Sequence, residues 1–171
     1  MRQTGFSFIK DYKKEFGGSS LAGKRKTTRP LSVKNPIHLI LKSTGSNYFV
    51  PDNRKIESLI RSHAEKYGIK LYEVSLNWSH IHLLVKLPSR EAYLAFIRTI
   101  TSLLVSLLSK LKGKSLKGLF DLRPFTRILS WGRDFRNVIA YHELNDMEAR
   151  GFKRPKKKAK SSQKKSRHTK K

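Results

Sequence analysis

Cysteine is absent from this chain of 171 residues. That excludes disulfides, thiolate zinc sites and thiol nucleophiles together, and it fits a reducing cytoplasm. Acidic residues are scarce: 12 Asp and Glu face 38 Lys and Arg, for a formal net charge of +26 at pH 7. Such an imbalance implies a polyanionic partner, with nucleic acid the first candidate and an anionic membrane surface the second. No run reaches the roughly 18 apolar residues of a membrane span, so none is expected. MRQTGFSFIKDYKKEF, at the start of the chain, lacks the long apolar segment of a signal peptide. No internal repeat is visible.

The charge is unevenly spread. Residues 1–34 carry GGSSLAGKRKTTRP and read as a basic arm with room for one short helix. Residues 153–171 hold eleven Lys or Arg and no acid, a composition that buries no core and predicts a disordered tail. About +15 then remains on residues 1–152, so the tail does not explain all of the charge.

Between the arms the apolar pattern is regular. PIHLILKST (36–44) reads as a buried strand containing His38. DNRKIESLIRSHAEKYG (52–68) has a cap candidate at Asp52, an apolar stripe through Ile56, Leu59, Ile60 and Ala64, and a stop at Gly68. IKLYEVSLN (69–77) alternates imperfectly, as a strand with a bulge does, and HIHLLVKL (80–87) follows across a short turn as its hairpin partner. A long helix starts at the Ser89 cap and keeps its stripe through Ile97, Ile100, Leu104, Leu107 and Leu111. PFTRILSW (124–131) predicts a fourth strand and residues 132–152 a last helix. The order β-α-β-β-α-β-α is that of an α+β, ferredoxin-like (RRM-like) palm with an added C-terminal helix. In that arrangement strands 36–44 and 80–87 are central.

The chemistry-bearing residues cluster late in the chain. His80 and His82 are two apart on a strand and share a face. They are either hydrogen-bonded polar positions or two imidazole ligands for a divalent ion, whose third ligand comes from another element. With a polyanionic partner, such an ion suggests phosphodiester chemistry. On the last helix, Asn137, Tyr141 and Asn145 recur at intervals of four, beside a packing stripe of Phe135, Val138, Ile139 and His142. Tyr141, on the border, either caps the core or presents its phenol to a phosphate, with the Asn145 amide one turn on. Tyr93 falls on the apolar stripe of its helix and reads as core. His38 belongs either to the core or to the same sheet surface. Arg123, Arg127, Arg133 and Arg136 are candidates to hold phosphates, and Trp78 and Trp131 to stack on unpaired bases. Each doubles as a solvated cation or a core aromatic.

HIHLLVK, on a hairpin strand followed by a long helix, resembles the His-hydrophobe-His (HUH) signature of single-strand DNA transposases. RPFTRILSWGRDFRNVIAYHELNDMEARGF resembles the C-terminal part of REP-associated tyrosine transposases and their insertion-sequence relatives, where a helix carries Tyr and, four residues on, Asn or Gln. The resemblance covers roughly residues 35–152 and is specific because both halves occur in the expected order. It implies a bacterial enzyme, nucleoid-associated when bound, working as a monomer or homodimer with no membrane partner. It implies that His80, His82 and Asn145 bind Mg²⁺ or Mn²⁺. It implies that Tyr141 attacks single-stranded DNA, near a hairpin, to give a 5′-phosphotyrosine and a free 3′-OH. Two departures stand out: Ser79 replaces the Asn that precedes the first histidine in many relatives, and His142 follows the tyrosine where an apolar residue is common. The alternatives are a domesticated relative that grips hairpin DNA or RNA without cutting, and a small basic structural protein using the fold as an RRM. The central strands HLILKS and HIHLLVK lack the exposed aromatics that the last would need.

Overall fold

The alternation within HIHLLVK organises the molecule. Successive strand residues point to opposite sheet faces, and here both faces are covered. Ile81, Leu83 and Val85 enter one core with Ile37, Leu39 and Leu41, while Leu84 enters a second, smaller one. A strand apolar on both sides belongs in the middle of a sheet.

The computed structural model describes residues 14–152 apart from 22, 25, 26, 46, 121 and 150. The Lys-rich tail and the first part of the arm lie outside the described residues. In chain order the elements are β1 (Glu15–Phe16), a 3₁₀ turn (Gly18–Leu21), β2 (Ile37–Lys42), α1 (Asn53–Lys66), β3 (Lys70–Leu76), β4 (His80–Lys86), α2 (Arg90–Lys112), β5 (Phe125–Ile128) and α3 (Arg133–Ala149). The sheet order is β1-β5-β2-β4-β3, with every adjacent pair antiparallel. Leaving β1 aside, this is the ferredoxin-like order, and β2 and β4 are central as expected. The expected bulge in β3 is a register shift between Leu71 and Glu73.

Helices α1 and α2 cover the larger core through Ile56, Ile60 and Ala64, and through Tyr93, Phe96, Ile100, Leu104 and Leu108. Tyr93 is core, as its stripe predicts. Ser89 caps α2 by accepting from the Ala92 N–H at 3.1 Å, and Gly113 closes it with φ 63°. Asp52 holds the cap position of α1, but its side chain makes no cap hydrogen bond. It lies 3.9 Å from the Lys55 ammonium instead. By length and composition α2 would suffice to cross a membrane, which the count of consecutive apolar residues did not reveal. Its buried stripe faces the sheet.

Two features were not expected. Glu15 and Phe16, in the stretch read as an arm, pair with Arg127 and Thr126 of β5 and add a fifth strand. Arg29, from the same stretch, donates to the Thr126 hydroxyl at 2.7 Å and lies over the Phe16 ring. On the other face of the sheet, α3 crosses β3 and β4 and seals a small core of Leu84, Leu129 and Val138, with Tyr72, Phe135 and Ile139 against it. The β2–β5 side of that face stays open.

Candidate functional site

The face under α3 is set by strand register. On β2 it presents His38, Ile40 and Lys42, and on β4 His80, His82 and Leu84. Ile40 pairs with His82, Lys42 with His80, and His38 with Leu84. His38 is therefore the diagonal neighbour of His82, within reach across the pair. Phe125 and Arg127 of β5 continue the face, opposite Ile40 and His38.

Helix α3 adds two consecutive residues. Its packing stripe turns His142 fully into the sheet, at 0% exposure, and leaves Tyr141 at the border with 39% exposed. His38 Nε2 lies 3.2 Å from His82 Nδ1 and 3.1 Å from His142 Nε2. Ligand nitrogens of all three rings fall within 4.8 Å of one another, which makes the trio able to hold a metal ion. The Tyr141 ring stands edge-on to His82, with centroids 5.7 Å apart, and to His38 at 6.4 Å.

Burial keeps the trio neutral. Loss of hydration lowers His38 and His82 from the ordinary 6.5 to about 3, and His142 to about 4, with neighbouring imidazoles adding to the effect at His38 and His82. Neutral imidazole is the metal-binding form. Nδ1 of His142 is buried with no hydrogen-bond partner, so the cluster carries an uncompensated desolvation of about 1–3 kcal/mol.

Both halves of α3 are tied to the sheet. Asp134 accepts from Arg127 Nη2 at 2.9 Å and from the Ser130 N–H at 3.2 Å. Nearer the C-terminus, Ser75 Oγ donates to Asp146 Oδ1 at 2.6 Å and lies 3.4 Å from the His142 carbonyl. These ties fix the height of Tyr141 above the histidines.

The expected site residues separate into groups. His82 and Tyr141 meet. Asn145, 2% exposed, lies buried one helical turn beyond Tyr141. His80 is half-buried, its ring stacked on His82 at 5.9 Å and its Nδ1 2.8 Å from Ser79 Oγ. Burial, then the charge of Lys42, lowers its pKa too. Arg123 lines a groove of about 310 Å³ beside His80, with Lys42 and Phe125. Arg127 lines a second groove of about 420 Å³, which passes His38 and Tyr141 and meets the first at Ile40 and Phe125. Arg127 is also engaged by Asp134, and Arg133 and Arg136 are exposed on the first turn of α3. Trp78 is 44% exposed. Trp131 is 48% exposed but packs on Phe135 and Tyr72 and donates to the Lys34 carbonyl at 3.1 Å. From sequence alone His38 is ambiguous and His142 belongs to the packing stripe. For His38 the signal is its alternation within a strand paired beside the His-x-His strand. For His142 it is its place next to Tyr141.

Comparison with known proteins supplies a family. The sequence model of the family described as "Transposase IS200 like" matches residues 35–120, which include His38, His80 and His82. Among solved structures, a REP-associated tyrosine transposase bound to a REP hairpin is similar over 72% of this chain and 73% of its own, with TM-score 0.58 and 13% identity. A putative transposase from Deinococcus radiodurans is similar over 71% of this chain and 98% of its own, with TM-score 0.48 and 16% identity. No curated protein matches the sequence.

Proposed function

The chain belongs to the IS200-like transposase family, and on that premise we propose that it cuts and rejoins single-stranded DNA with Tyr141 as nucleophile. The observation that carries the reading is the placement of Tyr141: part-exposed, edge-on to His82, and on the rim of a groove that runs across the open sheet face. A phenol so placed can reach a phosphate lying in the groove while the helix behind it is held at both ends.

The reaction balances as two exchanges. Tyr141 Oη attacks phosphorus and loses its proton to water. The P–O3′ bond breaks, and the departing oxygen takes up a proton as a free 3′-OH. The 5′-phosphate stays on the tyrosine. A second 3′-OH then attacks the phosphotyrosine, reforms a phosphodiester and returns the phenol. One phosphodiester replaces another, so no external energy source is needed. A divalent ion at the histidines, when bound, supplies Lewis-acid polarisation of the phosphoryl oxygen. His82 is common to the expected ligand set, His80, His82 and Asn145, and to the buried trio. Arg123 and Lys42 line the adjoining groove and would hold backbone phosphates, with Phe125 and Trp78 available for stacking on bases. The similar REP-associated enzyme carries a hairpin, which supports a hairpin-flanked target here.

The test uses single-stranded oligonucleotides with hairpins, incubated with the full chain and Mn²⁺, Mg²⁺ or Zn²⁺ and resolved on a denaturing gel. Wild type should give a covalent adduct, and Tyr141→Phe should reduce it by at least about 10³-fold while binding DNA normally. An adduct that persists in Tyr141→Phe removes the nucleophile assignment. Tight binding with no adduct on any substrate makes the chain a non-cleaving hairpin-binding module instead.

A further inference from the structure

We propose that His38 and His142 are positioning residues: a buried hydrogen-bond relay, in which His142 and His82 both donate to His38, fixes the proton of His82 on Nδ1 and so presents the His82 Nε2 lone pair to the ion of the His80–His82 pair. The proposal rests on the function proposed above for what the ion does, but the proton positions can be read without any cleavage.

A neutral imidazole carries one N–H and one lone pair, and the hydrogen bond made at one nitrogen decides the state of the other. The chain of inference starts at His142. Its Nδ1 is buried with no hydrogen-bond partner, while its Nε2 lies 3.1 Å from His38 Nε2. A buried N–H without an acceptor is strongly avoided, so the His142 proton belongs on Nε2, where His38 can accept it. His38 Nε2 is then a lone pair, and His38 carries its own proton on Nδ1. The same lone pair lies 3.2 Å from His82 Nδ1. Two facing lone pairs would repel there, so His82 holds its proton on Nδ1 and shares the His38 acceptor with His142. The opposite assignment makes His38 Nε2–H the donor. It would bury an N–H at His142 Nδ1 and place the His82 proton on Nε2, where it blocks an ion.

The two residues of the pair fit an ion bound through Nε2. Their rings share a face of β4, with centroids 5.9 Å apart and planes 26° from parallel. His80 Nδ1 lies 2.8 Å from Ser79 Oγ, and His82 Nδ1 meets His38, so in each ring Nε2 is the nitrogen left for the ion. The two supports differ in one respect. A serine hydroxyl can donate or accept and tolerates either form of His80. The His38 lone pair, held by His142, tolerates only one form of His82. Outer partners of this kind orient a ligand ring and raise its basicity.

The relay also links elements that the reaction needs in register. It runs from β4 through β2 to α3, across 44 and 104 residues of sequence. His142 adjoins Tyr141 on α3. A displacement of α3 would therefore shift the phenol and release His82 together.

The test begins with the wild-type full chain, free of metal, and reads the proton positions from long-range ¹H–¹⁵N NMR correlations of the histidine rings. His38 and His82 should be protonated on Nδ1 and His142 on Nε2. A proton on His82 Nε2 would overturn the relay. Mn²⁺ binding is then followed by electron paramagnetic resonance of the free ion. His38→Leu, checked for folding by circular dichroism, should weaken binding by about 10–100-fold. His38→Gln keeps an oxygen that can accept from His82 Nδ1–H and should bind more tightly than His38→Leu. Equal affinities in these two variants would reduce His38 to packing and sink the proposal, as would a wild type that takes up no Mn²⁺. In His142→Leu, which removes the donor that pins His38, the His82 ring should show both proton positions. If a variant fails to fold, the wild-type proton positions decide alone. The adduct assay judges the nicking reading separately. An adduct from a wild type whose His82 is protonated on Nε2 keeps that reading and removes the relay. The expected proton positions and Mn²⁺ affinities without any adduct keep the relay and remove the reading.

Discussion

At the scale of single residues, the buried imidazoles carry the largest shifts in protonation within the candidate site. In the folded protein without metal, His38 and His82 protonate only near about 3 and His142 near about 4, against the ordinary 6.5. These folded-state values are depressed. Between 6.5 and those values the unfolded chain binds protons that the folded chain refuses, so stability is fully present above 6.5 and falls as pH drops. Each histidine contributes up to about 1.4 kcal/mol per pH unit in that window. Urea unfolding of the metal-free protein at pH 7.5 and at 5.5 should therefore show a loss of a few kcal/mol. A flat profile between those pH values would mean that the three rings are hydrated. Added Zn²⁺ should raise the midpoint at pH 7.5, because an ion that binds only the folded state stabilises it by mass action.

At the scale of elements, the placement of α3 builds the candidate site and that of α2 does not. Helix α3 reaches the sheet through a small apolar core and two polar ties, Asp134 at its start and Asp146 near its end. Ser75→Ala removes the second tie and leaves the Asp146 carboxylate without that donor. It should lower stability by about 1–3 kcal/mol. It should also lower kcat for adduct formation more than it raises KM, since a displaced Tyr141 loses alignment rather than DNA affinity. Equal changes in the two constants would show that the tie serves DNA binding. Helix α2 gives the contrast. Ser89→Ala removes its N-terminal cap and should cost about 1 kcal/mol in thermal unfolding. The adduct yield at 25 °C should not change, because α2 lies on the face of the sheet opposite Tyr141.

At the scale of the whole molecule, the excess of positive charge is the feature from which a salt-dependent affinity for DNA is predicted. The net +26 includes eleven Lys and Arg in residues 153–171. Each phosphate that a shortened chain no longer neutralises lowers the slope of log K against log salt by about 0.7 for a single strand. A chain ending at residue 152 should thus bind hairpin DNA more weakly at low salt and with a shallower salt slope, while the adduct per bound strand stays the same. A fall in adduct per bound strand would give the tail a part in the chemistry. How far all this was legible follows from the range of each interaction. Element types, the β3 bulge, the Ser89 cap and the shared face of His80 and His82 rest on local periodicity, and the sequence alone determined them. Asp52 marked a helix start correctly, yet its side chain turned to Lys55, since cap and ion pair compete for one carboxylate. Arg127 looked like a free phosphate ligand until α3 brought Asp134 to it. The joining of Glu15–Phe16 to β5 and the meeting of His38, His82 and His142 were decided by tertiary structure alone. Strand register and helix placement are set by burial between segments far apart in the chain. A pattern within one segment shows which way a histidine faces, and only the packed sheet determines which other histidines it faces.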